Sequence, residues 1–176
     1  MTFFWIVIFV VAVYLLLIFV VSRFVVPFMG FGGFWPPRQT QQEIKAAIAE
    51  LELRAPDKRS YLEAVYELVL DKTLHQWKHT RFKAATRIPR AFVSNLSEIW
   101  ATQDFLYCNS INYLVYVLLI KSKYFQPGDV RVRHVFVNFF IHQYLQVKVG
   151  EGWVDVDPAG TGIRGKPLGK HLEWFG

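Results

Sequence analysis

Apolar residues follow three different patterns along the chain. Every position from 3 to 21 is apolar or aromatic. Over residues 41–53 and 61–74, apolar residues recur every three or four positions, which is the period of a helix buried on one side. After residue 126 the period changes to two, and we predict strands over 130–137, 140–149 and 153–157. Helices followed by an antiparallel sheet predict an α+β fold.

The first apolar run predicts a transmembrane helix. Nineteen helical residues extend about 28 Å, close to the hydrocarbon thickness of a bilayer. A buried core helix would normally carry a polar stripe, and a cleaved signal peptide would have a shorter apolar run and a small-residue cleavage site. The apolar run has no polar stripe, is longer than the apolar segment of a signal peptide, and is not followed by a small-residue cleavage site. We therefore predict an uncleaved single-pass anchor over residues 1–26.

Basic residues follow the apolar run but do not precede it. Arg23, Arg38 and Lys45 are the first of them. The positive-inside rule then places the soluble domain in the cytoplasm. Residues 27–40 are rich in glycine, proline and aromatic residues and predict a juxtamembrane linker. The aromatic residues that suit a membrane interface are Phe28, Phe31, Phe34 and Trp35.

Composition limits the classes of protein to which the chain can belong. The chain has 176 residues, 53% of them hydrophobic, and a formal net charge of +6. This allows one soluble domain, residues 41–176, and excludes a disordered protein. The single cysteine excludes an internal disulfide and a zinc site built from several thiolates. Basic residues cluster over 78–90 without any nucleic-acid-binding motif. We therefore favour a solvated face near lipid and expect no nucleic-acid partner.

Three residues have the chemistry that thiol catalysis requires: Cys108, His142 and Asp157. A lone cysteine is most often a small buried apolar residue. Cys108, however, lies about one turn before the apolar pattern of a helix predicted over residues 112–122. The N-terminus of a helix carries partial positive charge and stabilises a thiolate. A nearby imidazole would take the thiol proton, and a carboxylate would orient that imidazole.

The predicted strand register selects the carboxylate. A two-residue hairpin loop would pair Val149 with Gly152. Asp157 then lies on the same sheet face as His142, one diagonal step away, whereas Asp155 lies a step farther. We therefore predict that Asp157 orients the imidazole. The opposite face is predicted to be core and carries Ile141, Leu145, Val147, Val149, Val154 and Val156.

Residues 108–114, 142–144 and 152–158 resemble the transglutaminase-like superfamily. That family has a cysteine at a helix start, a strand histidine two residues before an aromatic residue, and a Trp-x-x-x-Asp-Pro ending. The resemblance covers about residues 95–160 and implies a papain-like domain, with helices packed on an antiparallel sheet. It also implies that Cys108 is the nucleophile, His142 the general base and Asp157 the orienting acid.

Two classes of function remain open. The first is a membrane-anchored cysteine hydrolase or acyltransferase. It would act on an amide bond of a protein or peptide through an acyl-enzyme, as a protease, an amidase or a transglutaminase does. A related alternative is acyl transfer of the arylamine acetyltransferase type, which also uses Cys, His and Asp. The second is a catalytically inactive binding or scaffold module at the membrane. The sequence departs from the family pattern at Tyr107, Tyr144 and Ala159, which leaves the second class open.

Other candidate sites have less support. His75 and His79 are spaced to share a metal on a helix, but Gln76 stands where a zinc protease needs glutamate, and we predict neither metal nor cofactor.

The oxyanion hole and the remaining histidines are less defined. The backbone N–H of Cys108 is one oxyanion donor. Candidates for a second donor are Gln103, Trp100 and Trp77. His134 and His171 have no evident partner, and residues 159–169 predict a glycine-rich loop.

Overall fold

The N-terminal helix, α1, has the length of a membrane span. The computed structural model describes residues 2–30, 33–73, 83, 86–103, 105–137 and 140–173. The helix is α-helical over Thr2–Leu16, π-helical over Leu17–Val21 and α-helical again over Ser22–Val25. Its 23 residues Phe3–Val25 are long and apolar enough to cross a membrane. The prediction of an apolar helix of this length is confirmed.

Two amphipathic helices begin the soluble part, as their apolar spacing predicts. They are α2 (Gln42–Arg54) and α3 (Lys58–Thr73). Asp57 caps α3, because its Oδ1 accepts a hydrogen bond from the backbone N–H of Ser60 at 2.8 Å. The buried residues recur every three or four positions and include Ile44, Ile48, Leu51, Tyr61, Leu62, Val65 and Val69.

The central helix, α5 (Cys108–Ile120), is buried on all sides over residues 109–119. A short helix, α4 (Leu96–Ala101), precedes it. The central helix is apolar all round because it packs against α3, α4 and the sheet. A hydrogen bond of 2.9 Å from the Tyr61 hydroxyl to the Leu118 carbonyl ties α3 to it.

The sheet has three antiparallel strands in the order β1 (Val130–Val137), β2 (Phe140–Val149) and β3 (Gly152–Val156). Val149 pairs with Gly152, so the predicted two-residue loop is confirmed. The face that packs on the central helix contains the fully buried side chains of Leu145, Val147 and Val156. The α+β prediction is therefore confirmed.

The prediction of a glycine-rich loop after the sheet is wrong in its first half. Residues Pro158–Arg164 form a helix, α6. Asp157 is its N-cap, Pro158 stands in its first turn, and Gly165 ends it in the left-handed conformation at φ 65°. These are strong start and stop signals, and they outweigh the low helix propensity of the glycines between them.

The segment that follows α1 packs on the soluble part. The Phe28 ring stacks on Tyr113 of α5 with centroids 3.8 Å apart, and Phe34 meets the same ring edge-on. These two aromatic residues therefore contact the protein core, where we had predicted a membrane interface. Trp35 is exposed, and Phe31 lies outside the described residues.

Candidate active site

His142 and Asp157 form a buried pair on one face of the sheet. The Nε2 atom of His142 lies 2.8 Å from Oδ2 of Asp157. The carboxylate is fully buried and also accepts two backbone hydrogen bonds, from Gly160 to Oδ1 at 2.8 Å and from Leu172 to Oδ2 at 3.0 Å. The structure therefore brings together the pair that the register predicted, with Asp157 and not Asp155 on the imidazole.

Cys108 is the first residue of α5, as predicted, and its side chain is half-buried. The thiol interacts with the ring of His142. Because Asp157 holds Nε2, the ring nitrogen left for the thiol is Nδ1. The N–H groups of the first helical turn have no intrahelical acceptor and give this end of the helix partial positive charge. The backbone N–H of Cys108 is one of them and suits an oxyanion.

The charge state of His142 follows from its two neighbours. Burial alone lowers the pKa of His142, but hydrogen bonds to Asp157 and Cys108 and the charges of both reverse the effect and raise the pKa to about 10. The imidazole is therefore protonated at neutral pH.

The segment after α1 ties the cysteine and histidine elements together. Asn109, which directly follows Cys108, donates to the carbonyl of Pro27 at 2.8 Å. Gln143, which directly follows His142, donates to the carbonyl of the next residue, Phe28, at 2.7 Å. The two side chains thus bind consecutive carbonyls of one short segment. The apolar pattern gave no signal for this contact, since it joins positions more than 80 residues apart.

Phe28 adopts an unusual backbone conformation at this contact. Its φ of 64° lies in the left-handed region that residues with a Cβ rarely occupy. The stacking of its ring on Tyr113 and the hydrogen bond from Gln143 hold it there.

His171 belongs to a second pair beside the first, a contact that the sequence did not reveal. Its Nδ1 lies 2.7 Å from Oδ2 of Asp155, whose Oδ1 accepts a hydrogen bond from Gln146 at 3.0 Å. The ring of His171 also stacks on Tyr144 with centroids 4.1 Å apart. The partners of His171 could not be named from the sequence. The C-terminal tail crosses this sheet face, and Leu172 then reaches Asp157.

His134 also has partners, which the sequence did not identify. Its Nδ1 lies 3.3 Å from Nη1 of Arg23, and its Nε2 lies 3.2 Å from Nε2 of Gln143. Burial and the positive charges of Arg23 and His142 lower the pKa of His134 to about 4. It is therefore neutral at physiological pH and links β1 to the end of α1.

The remaining candidates do not join the site in the part of the chain that the structure describes. The Trp100 ring lies under the ammonium of Lys72 at 4.1 Å, and Gln103 is exposed. Trp77, His75 and His79 lie outside the described residues, as do Lys78 and Arg81 of the basic cluster. Within the described ranges, no three His, Cys, Asp or Glu side chains converge as a metal site requires.

Comparisons with protein-family models, with curated proteins and with solved structures found no match to this chain. A thiol at a helix N-terminus, an imidazolium and a buried carboxylate in series form the arrangement of nucleophile, base and orienting group that acyl transfer uses.

Proposed function

We propose that the chain is a membrane-anchored thiol enzyme that transfers an acyl group from an amide bond. The observation that carries the proposal is the position of the His142 ring. It is bonded through Nε2 to a buried carboxylate and interacts with the thiol of Cys108 at the first residue of a helix. A cysteine that only packs in a core needs neither the imidazole nor the buried carboxylate.

The chemistry divides into two steps. The Cys108 thiolate attacks the amide carbonyl carbon, and the backbone N–H at the helix start receives the developing oxyanion. The C–N bond breaks, the amine leaves with a proton from the imidazolium of His142, and a thioester remains on Cys108. Water or a second amine then attacks the thioester carbon and gives its proton to His142. The C–S bond breaks, the acyl group leaves as an acid or a new amide, and the thiolate–imidazolium pair is restored.

The resemblance to the transglutaminase-like superfamily supports this proposal. A cysteine-bearing helix packed on an antiparallel sheet, with the histidine on a strand and the aspartate just after the next strand, agrees with a papain-like arrangement. The nucleophile of the second step decides between hydrolysis and crosslinking. In both cases we propose that the acyl donor is an amide of a protein or peptide.

The length and apolar character of α1 support a membrane anchor. We place the soluble domain in the cytoplasm, because basic residues follow the helix on the side of that domain. Protease treatment of intact cells tests the orientation. Digestion of the domain from outside contradicts it, and release of the chain by alkaline carbonate contradicts the span itself.

The thiol is tested by alkylation. Cys108 is the only cysteine, so iodoacetamide incorporation into the full chain in detergent reports on it alone. We expect fast labelling at pH 6 in the wild type and much slower labelling in His142→Ala. Lys170→Ala, at an exposed position, is the matched control and should label like the wild type.

A slow reaction with a midpoint at about pH 8.5 in both the wild type and His142→Ala, as for an ordinary thiol, would contradict the proposal. Cys108 would then be a packing residue, and the domain a binding module.

A further inference from the structure

One end of the sheet lies beside α1, within its apolar stretch. The ring of Phe136 on β1 is 5.3 Å from the ring of Phe19, and β2 approaches Leu17–Val21 with Cα atoms within 8 Å. Phe19 precedes Val21, where the apolar run ends before Ser22 and Arg23, by two residues, which at about 1.5 Å per residue is about 3 Å. If residues 3–21 span the hydrocarbon of a bilayer, this end of the sheet begins just below its boundary.

The same end of the sheet exposes apolar side chains. Phe140, the first residue of β2, is 68% exposed and pairs with Val137, the last residue of β1. Along β1, the residues nearest this end are Val135, Phe136 and Val137, and charged side chains begin at Arg133. The sheet is therefore apolar where it meets the helix and charged farther away, which is the order that lipid chains and headgroups require.

A second exposed apolar segment lies close to the end of α1. Asn109 donates to both Pro27, just after α1, and Ala91, at 2.8 and 3.0 Å. This bridge fixes the 3₁₀ turn Ile88–Phe92 close to the end of the helix. Within the turn, Ile88 and Phe92 are 59% and 46% exposed.

We propose that the β1–β2 end, formed by Phe136, Val137 and Phe140, inserts into the bilayer beside α1 and is covered by lipid acyl chains. The contact with Phe19 places these residues at hydrocarbon depth, where exposed apolar rings are removed from water. The insertion rests on the membrane span proposed above, and what it implies for the substrate rests also on the proposed thiol chemistry.

The insertion determines where the substrate bond must be. His142 follows Phe140 by two residues, which along a strand is about 7 Å. The imidazole then lies at the level of the lipid headgroups, and so does the thiol that interacts with it. The enzyme therefore acts on amide bonds presented at the membrane surface.

Depth measurements on the full chain test the insertion. In a Cys108→Ser background, single cysteines are introduced as Phe140→Cys, Glu151→Cys and Val11→Cys, all at exposed positions. Each is labelled with an environment-sensitive fluorophore and reconstituted in phosphatidylcholine vesicles that contain doxyl-labelled lipid. Positions 140 and 151 mark opposite ends of β2, so each is the matched control of the other.

We expect strong quenching and a blue-shifted emission at positions 11 and 140, and unquenched, water-like emission at 151. Quenching at 11 without quenching at 140 overturns the inserted sheet end and leaves the span intact. Equal quenching at 140 and 151 also overturns it, since the sheet would then lie flat on the surface. An unquenched label at 11 overturns the span and the insertion together.

Discussion

A Cβ atom on Gly160 would lie 2.4 Å from Oδ2 of Asp157. No real side chain tolerates so short a contact, so the carboxylate occupies its position only because residue 160 is glycine. The backbone N–H of the same glycine donates to the other carboxylate oxygen at 2.8 Å. Gly160 thus lowers the helix propensity of α6, but it also leaves room for the Asp157 carboxylate and donates a hydrogen bond to it. That carboxylate orients His142.

Gly160→Ala should therefore displace the Asp157 carboxylate. A methyl group in an exposed helix would stabilise the chain by about 1 kcal/mol relative to glycine. Here we expect the opposite sign, with a lower melting temperature and slower alkylation of Cys108 at pH 6. Gly128→Ala is the control, because a Cβ there meets open space. Unchanged stability and labelling in Gly160→Ala would show that the carboxylate does not lie where the structure places it.

Replacement of Asp157 should affect the site more than replacement of Asp155. Both oxygens of Asp157 accept N–H donors, so the amide nitrogen of Asp157→Asn faces a donor in either orientation. We expect alkylation at pH 6 to slow, and turnover, once a substrate is known, to fall by on the order of 10²–10⁴-fold. Asp155 contacts His171 and not His142. Asp155→Asn should therefore change either rate by less than about tenfold. The reverse order of the two effects would assign the orienting role to Asp155.

The site could be predicted from sequence where local rules decide the structure. Val149 and Gly152 flank a two-residue turn whose first residue, Gly150, has a φ of 62°, and strand alternation then carries the register to Asp157. The helix start at Cys108 follows from the apolar period in the same way. Both inferences use positions close together in the chain.

Contacts between distant positions could not be predicted. The bonds of Asn109 and Gln143 to the segment after α1, and of His171 to Asp155, depend on how whole elements pack. The apolar period of a strand, two residues, and that of a helix, about three and a half, give no signal for such contacts. The helix at 158–164 was missed for a different reason, since capping by Asp157 outweighs the glycines within it.

The raised pKa of His142 predicts how stability changes with pH. Its folded value of about 10 exceeds the ordinary value of 6.5, so the folded state holds the proton more tightly. The resulting stabilisation is fully present below about pH 6.5 and is lost as the pH rises towards 10. The gap in unfolding free energy between the wild type and His142→Gln should therefore shrink across this range. In Cys108→Ser, the stabilisation should be smaller and its loss complete at lower pH, because one partner that raises the folded pKa has changed.

Equilibrium unfolding in detergent at several pH values measures this gap. A gap that is constant or that widens from pH 6.5 to 10 would mean that His142 is neutral in the folded protein.

Loss of His171 should loosen the C-terminal tail over the site. His171→Ala removes the stack on Tyr144 and the bond to Asp155. Together these contribute about 1–3 kcal/mol to the free energy of unfolding. The tail also carries Leu172, whose N–H binds Asp157, so alkylation of Cys108 should slow as well. Lys170→Ala, at an exposed position, serves as the control, and an equal effect of the two substitutions would argue against an anchored tail.

Asn109 connects the candidate nucleophile to the segment after α1, and its chemistry makes a directional prediction. Its buried Nδ2 donates to two carbonyl oxygens, those of Pro27 and Ala91. Asn109→Ala leaves both carbonyls without this donor and should lower the free energy of unfolding by about 1–3 kcal/mol. Asn109→Asp has the same shape but places a carboxylate oxygen against two carbonyl oxygens, so it should destabilise more than alanine does.

Urea unfolding of the full chain in micelles gives the order of the three proteins. Ser110→Ala is the matched control, because its hydroxyl makes only a long bond of 3.5 Å to Val93 and its loss should change stability little. Since Asn109 follows Cys108 directly, both Asn109 variants should also slow alkylation at pH 6, the aspartate more than the alanine. If Asn109→Asp is as stable as the wild type, the side chain does not donate to these carbonyls, and the segment after α1 does not hold the start of α5.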